Sequence, residues 1–181
     1  MLFRSTYEEA KKRNPELDEV KLVEIAESVA VGALRYAMIK QDLDKIITFD
    51  MMESLSLEGD TGPYIQYAHA RATRILEKAN MEPKFDVSFD NLNTEYEINL
   101  IKMIGKFDIQ IEDAAKNLSP KVIARYCHDL AVAFNAFYEH VKVLTAENQS
   151  MVNTRLCLVY VFKETLAKAL EVLGIGSPDR M

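Results

Sequence analysis

Tryptophan is absent from the 181 residues, cysteine is held to two, proline to five and glycine to six. So little glycine and proline disfavours a turn-rich β architecture and suits long helices. Cys127 and Cys157 lie far apart and have no partner at zinc-ligand spacing. They read as reduced thiols of a cytoplasmic protein, not as a disulfide framework or a metal site. No apolar run approaches the roughly 20 residues of a membrane span, and the opening MLFRSTYEEAKKRN has no signal-peptide core. HExxH, Walker and GxGxxG patterns are missing, and no serine or cysteine sits in a nucleophile motif. Glu58 and Asp60 flank a glycine but read as solvated loop carboxylates. No catalytic residue and no metal ligand is expected.

An excess of positive charge is also lacking. The net charge is −6, which argues against sequence-blind binding to DNA or to an acidic membrane. The one local exception is residues 61–80, with Arg71, Arg74 and Lys78 against the single acid Glu77.

What the chain does have is helical periodicity. Asn14-Pro15 reads as an N-cap and first helical residue. Behind it Leu22, Ile25, Ala26, Val29, Ala30, Ala33, Leu34, Ala37 and Met38 repeat at spacings of 3 and 4, predicting a buried stripe that ends near Lys40. Gly32 in that stripe permits close approach by a neighbour. Ile46 to Phe49 reads as a short extended segment, and Asp50 as the cap of a short helix through Leu55. The glycine-containing loop 57–63 leads into a helix from Pro63 to Ala79. Residues 80–93 read as an irregular connector lying on a core and dividing two subregions. Asn93 or Thr94 caps the next helix, and residues 112–117 supply one or two further turns. Ser119 is then expected to cap a helix opened by Pro120, with Leu118 stapled onto Ile123. Thr145 or Asn148 opens a final helix that Gly174 ends, with Ile175 folding back on the last turn. The expected fold is an all-α helical bundle.

On the Pro63 helix, Tyr64, Tyr67, Arg71, Arg74 and Lys78 recur at 3 and 4 spacing and share a face turned from the Ile65/Ala68/Ile75 stripe. Rings can stack on unpaired bases while cations meet phosphates. Spacing alone favours a solvated basic face over a binding one, since such stripes are common on ordinary helices.

The run Leu55-Ser56-Leu57-Glu58-Gly59-Asp60-Thr61-Gly62-Pro63-Tyr64-Ile65-Gln66-Tyr67-Ala68-His69-Ala70-Arg71 resembles a signature of arginyl-tRNA synthetases. Val31-Gly32-Ala33-Leu34-Arg35-Tyr36 and the tail Leu173-Gly174-Ile175-Gly176-Ser177-Pro178-Asp179-Arg180-Met181 are similar to that family as well. The resemblance implies a helical connector from the end of a catalytic body over residues 1–57, then a DALR-type anticodon-binding bundle over 58–181. It implies that Glu58, Gly59, Asp60, Thr61, Gly62, Tyr64 and Tyr67 lie beside the anticodon arm of tRNA-Arg. Met181 and a tyrosine on the Pro120 helix, matched here to Tyr126, join them. The catalytic body of the same synthetase is the second implied partner, with no membrane or DNA partner. That body's HIGH and KMSKS-type motifs do not occur in this sequence, so ATP and Mg2+ are expected for the full-length enzyme only. The competing reading is a helical protein-interaction adaptor derived from such a domain.

Overall fold

Short polar side chains fix most of the helix starts. A computed structural model describes residues 1–42, 45–90, 92–146 and 148–181. Among them there are eight helices and no strand: α1 Leu2–Arg13, α2 Glu19–Ile39, α3 Met51–Ser54, α4 Gly62–Ala79, α5 Glu95–Ile104, α6 Phe107–Lys116, α7 Lys121–His140 and α8 Gln149–Val172. Asp50, Thr61 and Asn148 cap α3, α4 and α8 by accepting from Glu53 N (2.9 Å), Tyr64 N (3.1 Å) and Met151 N (2.8 Å). Thr94 and Glu97 form a reciprocal capping box at α5. Among the described residues, no helix is long and apolar enough to cross a membrane.

Three helix starts differ from expectation: α6 begins at Phe107 and not near residue 112, and those of α2 and α7 move as well. Asn14 does not open a helix; it ends α1, and its side chain donates back to Ala10 O at 3.1 Å. The following helix starts at Glu19, where the Asp18 carboxylate accepts from Lys21 N at 2.9 Å. α1 itself is unforeseen because it buries only Thr6 and Ala10, too few residues to write a stripe. At α7, Pro120 takes the cap position and no side chain caps the helix. Leu118 makes no staple: its φ of 49° and 83% exposure turn it away from Ile123. It terminates α6 instead, with Ser119 N donating to Ala114 O (3.0 Å) and Leu118 N to Ala115 O (3.3 Å).

The main core lies between α4, α7 and α8. Phe134 and Phe162 stack face to face at 3.9 Å and are fully buried. Ile65, Ala68, Ala72 and Ile75 of α4 join the same cluster, and a smaller one forms around Ala10, Leu22, Ile25 and Val29. Part of the 80–93 connector lies on α8, where Asn153 accepts from Lys84 N (3.0 Å) and donates to Lys84 O (2.7 Å).

α2 and α4 cross backbone to backbone. A Cβ on Gly62 would lie 2.5 Å from Gly32 O, and one on Gly32 would lie 2.7 Å from Gln66 Nε2. Only glycine permits this approach.

α8 stops as expected. Gly174 takes φ 65°, Gly174 N donates to Glu171 O (2.8 Å) and Ile175 N to Leu170 O (2.9 Å). The tail then runs as a strap across α2 and α4. Arg35 of α2 donates to Gly174 O. Gln66 Nε2 donates to Gly176 O (2.7 Å) and to Ser28 O (3.1 Å). His69 Nδ1 lies 3.1 Å from Pro178 O; a carbonyl only accepts, so this nitrogen carries the proton. Thr73 Oγ1 donates to Asp179 Oδ1 at 2.9 Å. Met181 packs on the small cluster of α1 and α2.

Candidate nucleic-acid interface

α4 is a helix with three working faces, set roughly 120° apart by the 3.6-residue turn. The first is apolar and points into the core. The second, Gln66, His69 and Thr73, is polar yet buried beneath the strap. The third carries Tyr67, Arg71, Arg74 and Lys78. Sequence reasoning recognised the first and third; the signal for the second was three polar residues at 3 and 4 spacing on a helix with a solvated face already supplied.

The third face forms one wall of a groove of about 550 Å³. The opposite wall comes from the end of α7 and the segment after it, with Tyr138, His140 and Lys142, and Met181 closes one end. The Arg71 guanidinium sits between two rings, its Cζ 4.9 Å from the Tyr67 centroid and 4.6 Å from the Tyr138 centroid. Asn135 Oδ1 accepts from Arg71 Nη1 at 2.8 Å and fixes its height between them. His140 lies flat against Tyr96 at 4.2 Å and donates from Nδ1 to Ala136 O at 2.9 Å. Arg74 and Lys78 are exposed, and neither forms an ion pair among the described residues. The groove therefore offers rings held in place and cations not committed to carboxylates. Glu139 is the acidic side chain among its described lining residues.

The other expected site residues are distributed differently. Tyr64 is half-buried against the core and tilts onto His128 of α7, with ring centroids 5.7 Å apart, outside this groove. Glu58 and Gly59 are exposed, and Gly59 takes φ 78°. Asp60 is exposed but anchored: Tyr36 donates to its carboxylate at 2.5 Å and Lys40 to its backbone carbonyl at 2.7 Å. Burial, then the hydrogen bond with Asp60, push the Tyr36 phenol well above its ordinary range, so it stays a donor. Thr61 caps α4 and donates to Ser56 O at 2.6 Å, while Gly62 is the backbone crossing. This loop borders a second cavity of about 340 Å³, between α1, α2 and residues 55–58, which shares Met181 with the groove.

The expectation for Tyr126 is corrected. It is 3% exposed, its hydroxyl donates to Met103 O at 3.1 Å, and its ring tilts onto Phe107. No face of the ring is open to a base. The tyrosine of α7 that reaches the groove is Tyr138, 43% exposed and in contact with Arg71.

The geometry meets a matching ancestry. A family model described as the DALR anticodon binding domain matches residues 65–181. The chain belongs to that family. The groove of this DALR domain lies within the matched span. The chain is 42% identical over 178 residues to an arginine–tRNA ligase of Methanothrix thermoacetophila, covering 98% of this chain and 32% of the relative. It is 44% identical to that of Methanoregula boonei, covering 98% and 31%. Among solved structures, the arginyl-tRNA synthetase of Thermus thermophilus superposes with a TM-score of 0.91 at 37% identity, covering 99% of this chain and 31% of that one. The enzyme from Plasmodium falciparum does so at 0.83 and 30%, with coverages of 99% and 31%. The chain thus spans about a third of the length of the relatives it matches.

Proposed function

We propose that this chain is the tRNA-binding part of an arginine–tRNA ligase and that it holds the anticodon loop of tRNA-Arg in the groove between α4 and α7. The observation that carries this is Arg71 seated between Tyr67 and Tyr138, with Arg74 and Lys78 open beside it. Unpaired bases splayed from the loop stack on the rings, while the cations meet phosphates. Interleaving a guanidinium between the rings keeps the wall from collapsing before RNA arrives, which lowers the ordering cost of binding. No bond is made or broken here. Holding the loop places the distant acceptor end in a catalytic body, where ATP, Mg2+ and arginine would bind. The cytoplasm, where tRNA is charged, is the compartment we assign, and the buried free thiols Cys127 and Cys157 suit it.

Val31, Leu34 and Met38 supply a contact for that body: they share a face of α2 and are all exposed. The same face would serve a protein adaptor. The two readings part on RNA affinity, which the adaptor would lack.

Fluorescence anisotropy with tRNA-Arg and a non-cognate tRNA at two salt concentrations tests the proposal. Binding is expected to favour tRNA-Arg and to weaken with salt. Tyr67→Ala and Tyr138→Ala are each expected to weaken it by about 1–3 kcal/mol if the rings stack on bases, while Tyr126→Phe leaves it unchanged. Equal, salt-independent affinity for both tRNAs would remove the reading.

A further inference from the structure

We propose that Gln66, His69 and Thr73 are positioning residues for RNA recognition: they fix the C-terminal strap on the buried polar face of α4 and so set Met181 at the end of the groove. The inference rests on the proposed role of that groove and goes beyond it, because none of the three lines the groove.

The last residues of a domain fray unless something holds them. Here three consecutive turns of one helix each hold a different part of the strap, at Gly176 O, Pro178 O and Asp179 Oδ1. The donors are expensive ones. Gln66 is fully buried, and His69 and Thr73 are 2% and 7% exposed. Burying such groups is unfavourable unless they are paired; the strap supplies partners for Gln66 Nε2, His69 Nδ1 and Thr73 Oγ1, while Gln66 Oε1 has none among the described residues. Gly176 lets the strap lie close, since a Cβ there would stand 2.5 Å from Ser28 Oγ. Beyond Asp179, Arg180 reaches Glu16 at 3.4 Å and Glu77 at 3.3 Å.

A core need alone would be met by apolar residues at these positions. What the hydrogen-bonded version adds is register. Each bond fixes one strap residue against one turn of α4, the helix that also carries Tyr67 and Arg71. Met181 is thereby referenced to the RNA-facing wall and not merely to the bundle. Its side chain lines both the groove and the cavity under the 55–58 loop.

The test measures affinity of the 181-residue chain for a tRNA-Arg transcript in parent, Met181→Ala, Thr73→Val, Asp179→Ala and the double variants with Met181→Ala. Thr73→Val keeps the shape and loses the donor, so folding is preserved; thermal melting checks this. His69→Gln adds a second probe. Thr73→Val, which removes the donor, and Asp179→Ala, which removes the acceptor, are expected to weaken binding about 2- to 10-fold, the range a lost hydrogen bond spans. Thr73→Ser restores it. In the Met181→Ala background the same changes have little further effect, which a merely structural role would not produce. Full additivity, or unchanged affinity in Thr73→Val and Asp179→Ala while Met181→Ala weakens binding, overturns the inference and leaves the groove reading standing. If Met181→Ala itself has no effect while Tyr67→Ala does, the strap has no bearing on RNA and the inference fails alone. If neither substitution matters, the groove reading fails with it.

Discussion

Glu97 is a fully buried carboxylate that survives because it is surrounded by donors. It accepts from Thr94 N (3.0 Å), Thr94 Oγ1 (2.8 Å) and Arg155 Nε (2.8 Å). Burial pushes its pKa up, but the Thr94 and Arg155 hydrogen bonds outweigh burial and hold it below the usual carboxylate range. A folded-state pKa below the unfolded value, about 4.3, means the stabilisation is present above that value and is lost as pH falls through the folded pKa. Chemical denaturation of parent and Glu97→Gln across pH 3–7 should show the parent ahead near neutrality and the gap narrowing in acid. Arg155→Met should cost about 3 kcal/mol or more at pH 7, because it strands the buried charge; a loss below half that would show water reaching the pair. At this same scale the sequence placed Arg71, Arg74 and Lys78 on one face of α4, where the structure has them, and was ambiguous about the tyrosines. Tyr126 shares its stripe with Ile123, Cys127 and Leu130, which is the mark of a core residue. Tyr138 stands where α7 emerges into solvent, and its value to the site depends on α4 lying opposite, which no local pattern encodes.

Among the helices, legibility tracked capping chemistry. The start at Asp50, those at Thr94 and Asn148 (each as one of two candidates) and the stop at Gly174 could be read because each needs one residue type to satisfy one orphan group, whereas the α4 start was read from Pro63 and its Thr61 cap was not. α1 could not, since a helix that buries two side chains leaves almost no periodic signal. The α6 stop at Asn117 was read but its means was not: a leucine occupies the left-handed position that glycine ordinarily fills. That choice is strained, and its side chain lies 83% exposed. Leu118→Gly is therefore expected to stabilise the fold by about 1 kcal/mol, read as a rise in the denaturation midpoint with an unchanged slope. A destabilised variant would mean that Leu118 makes a contact worth more than its backbone strain.

Across the whole molecule, function is concentrated by charge segregation. A chain of net charge −6 presents Arg71, Arg74, Lys78 and Lys142 along one groove. Affinity for tRNA should fall with added salt, and the Arg74→Gln/Lys78→Gln double variant should flatten the log–log slope by about 0.7 per lost phosphate contact. An unchanged slope would place the phosphates elsewhere. The Gly32–Gly62 crossing has a mechanical consequence on this scale. At the crossing the Gly32 carbonyl faces Gly62 with no room for a Cβ, and beside it Gln66 reaches from α4 to Ser28 O of α2. A shift of one helix at this point has to be met by the other, so the orientation of α2 is tied to that of the helix carrying Tyr67 and Arg71.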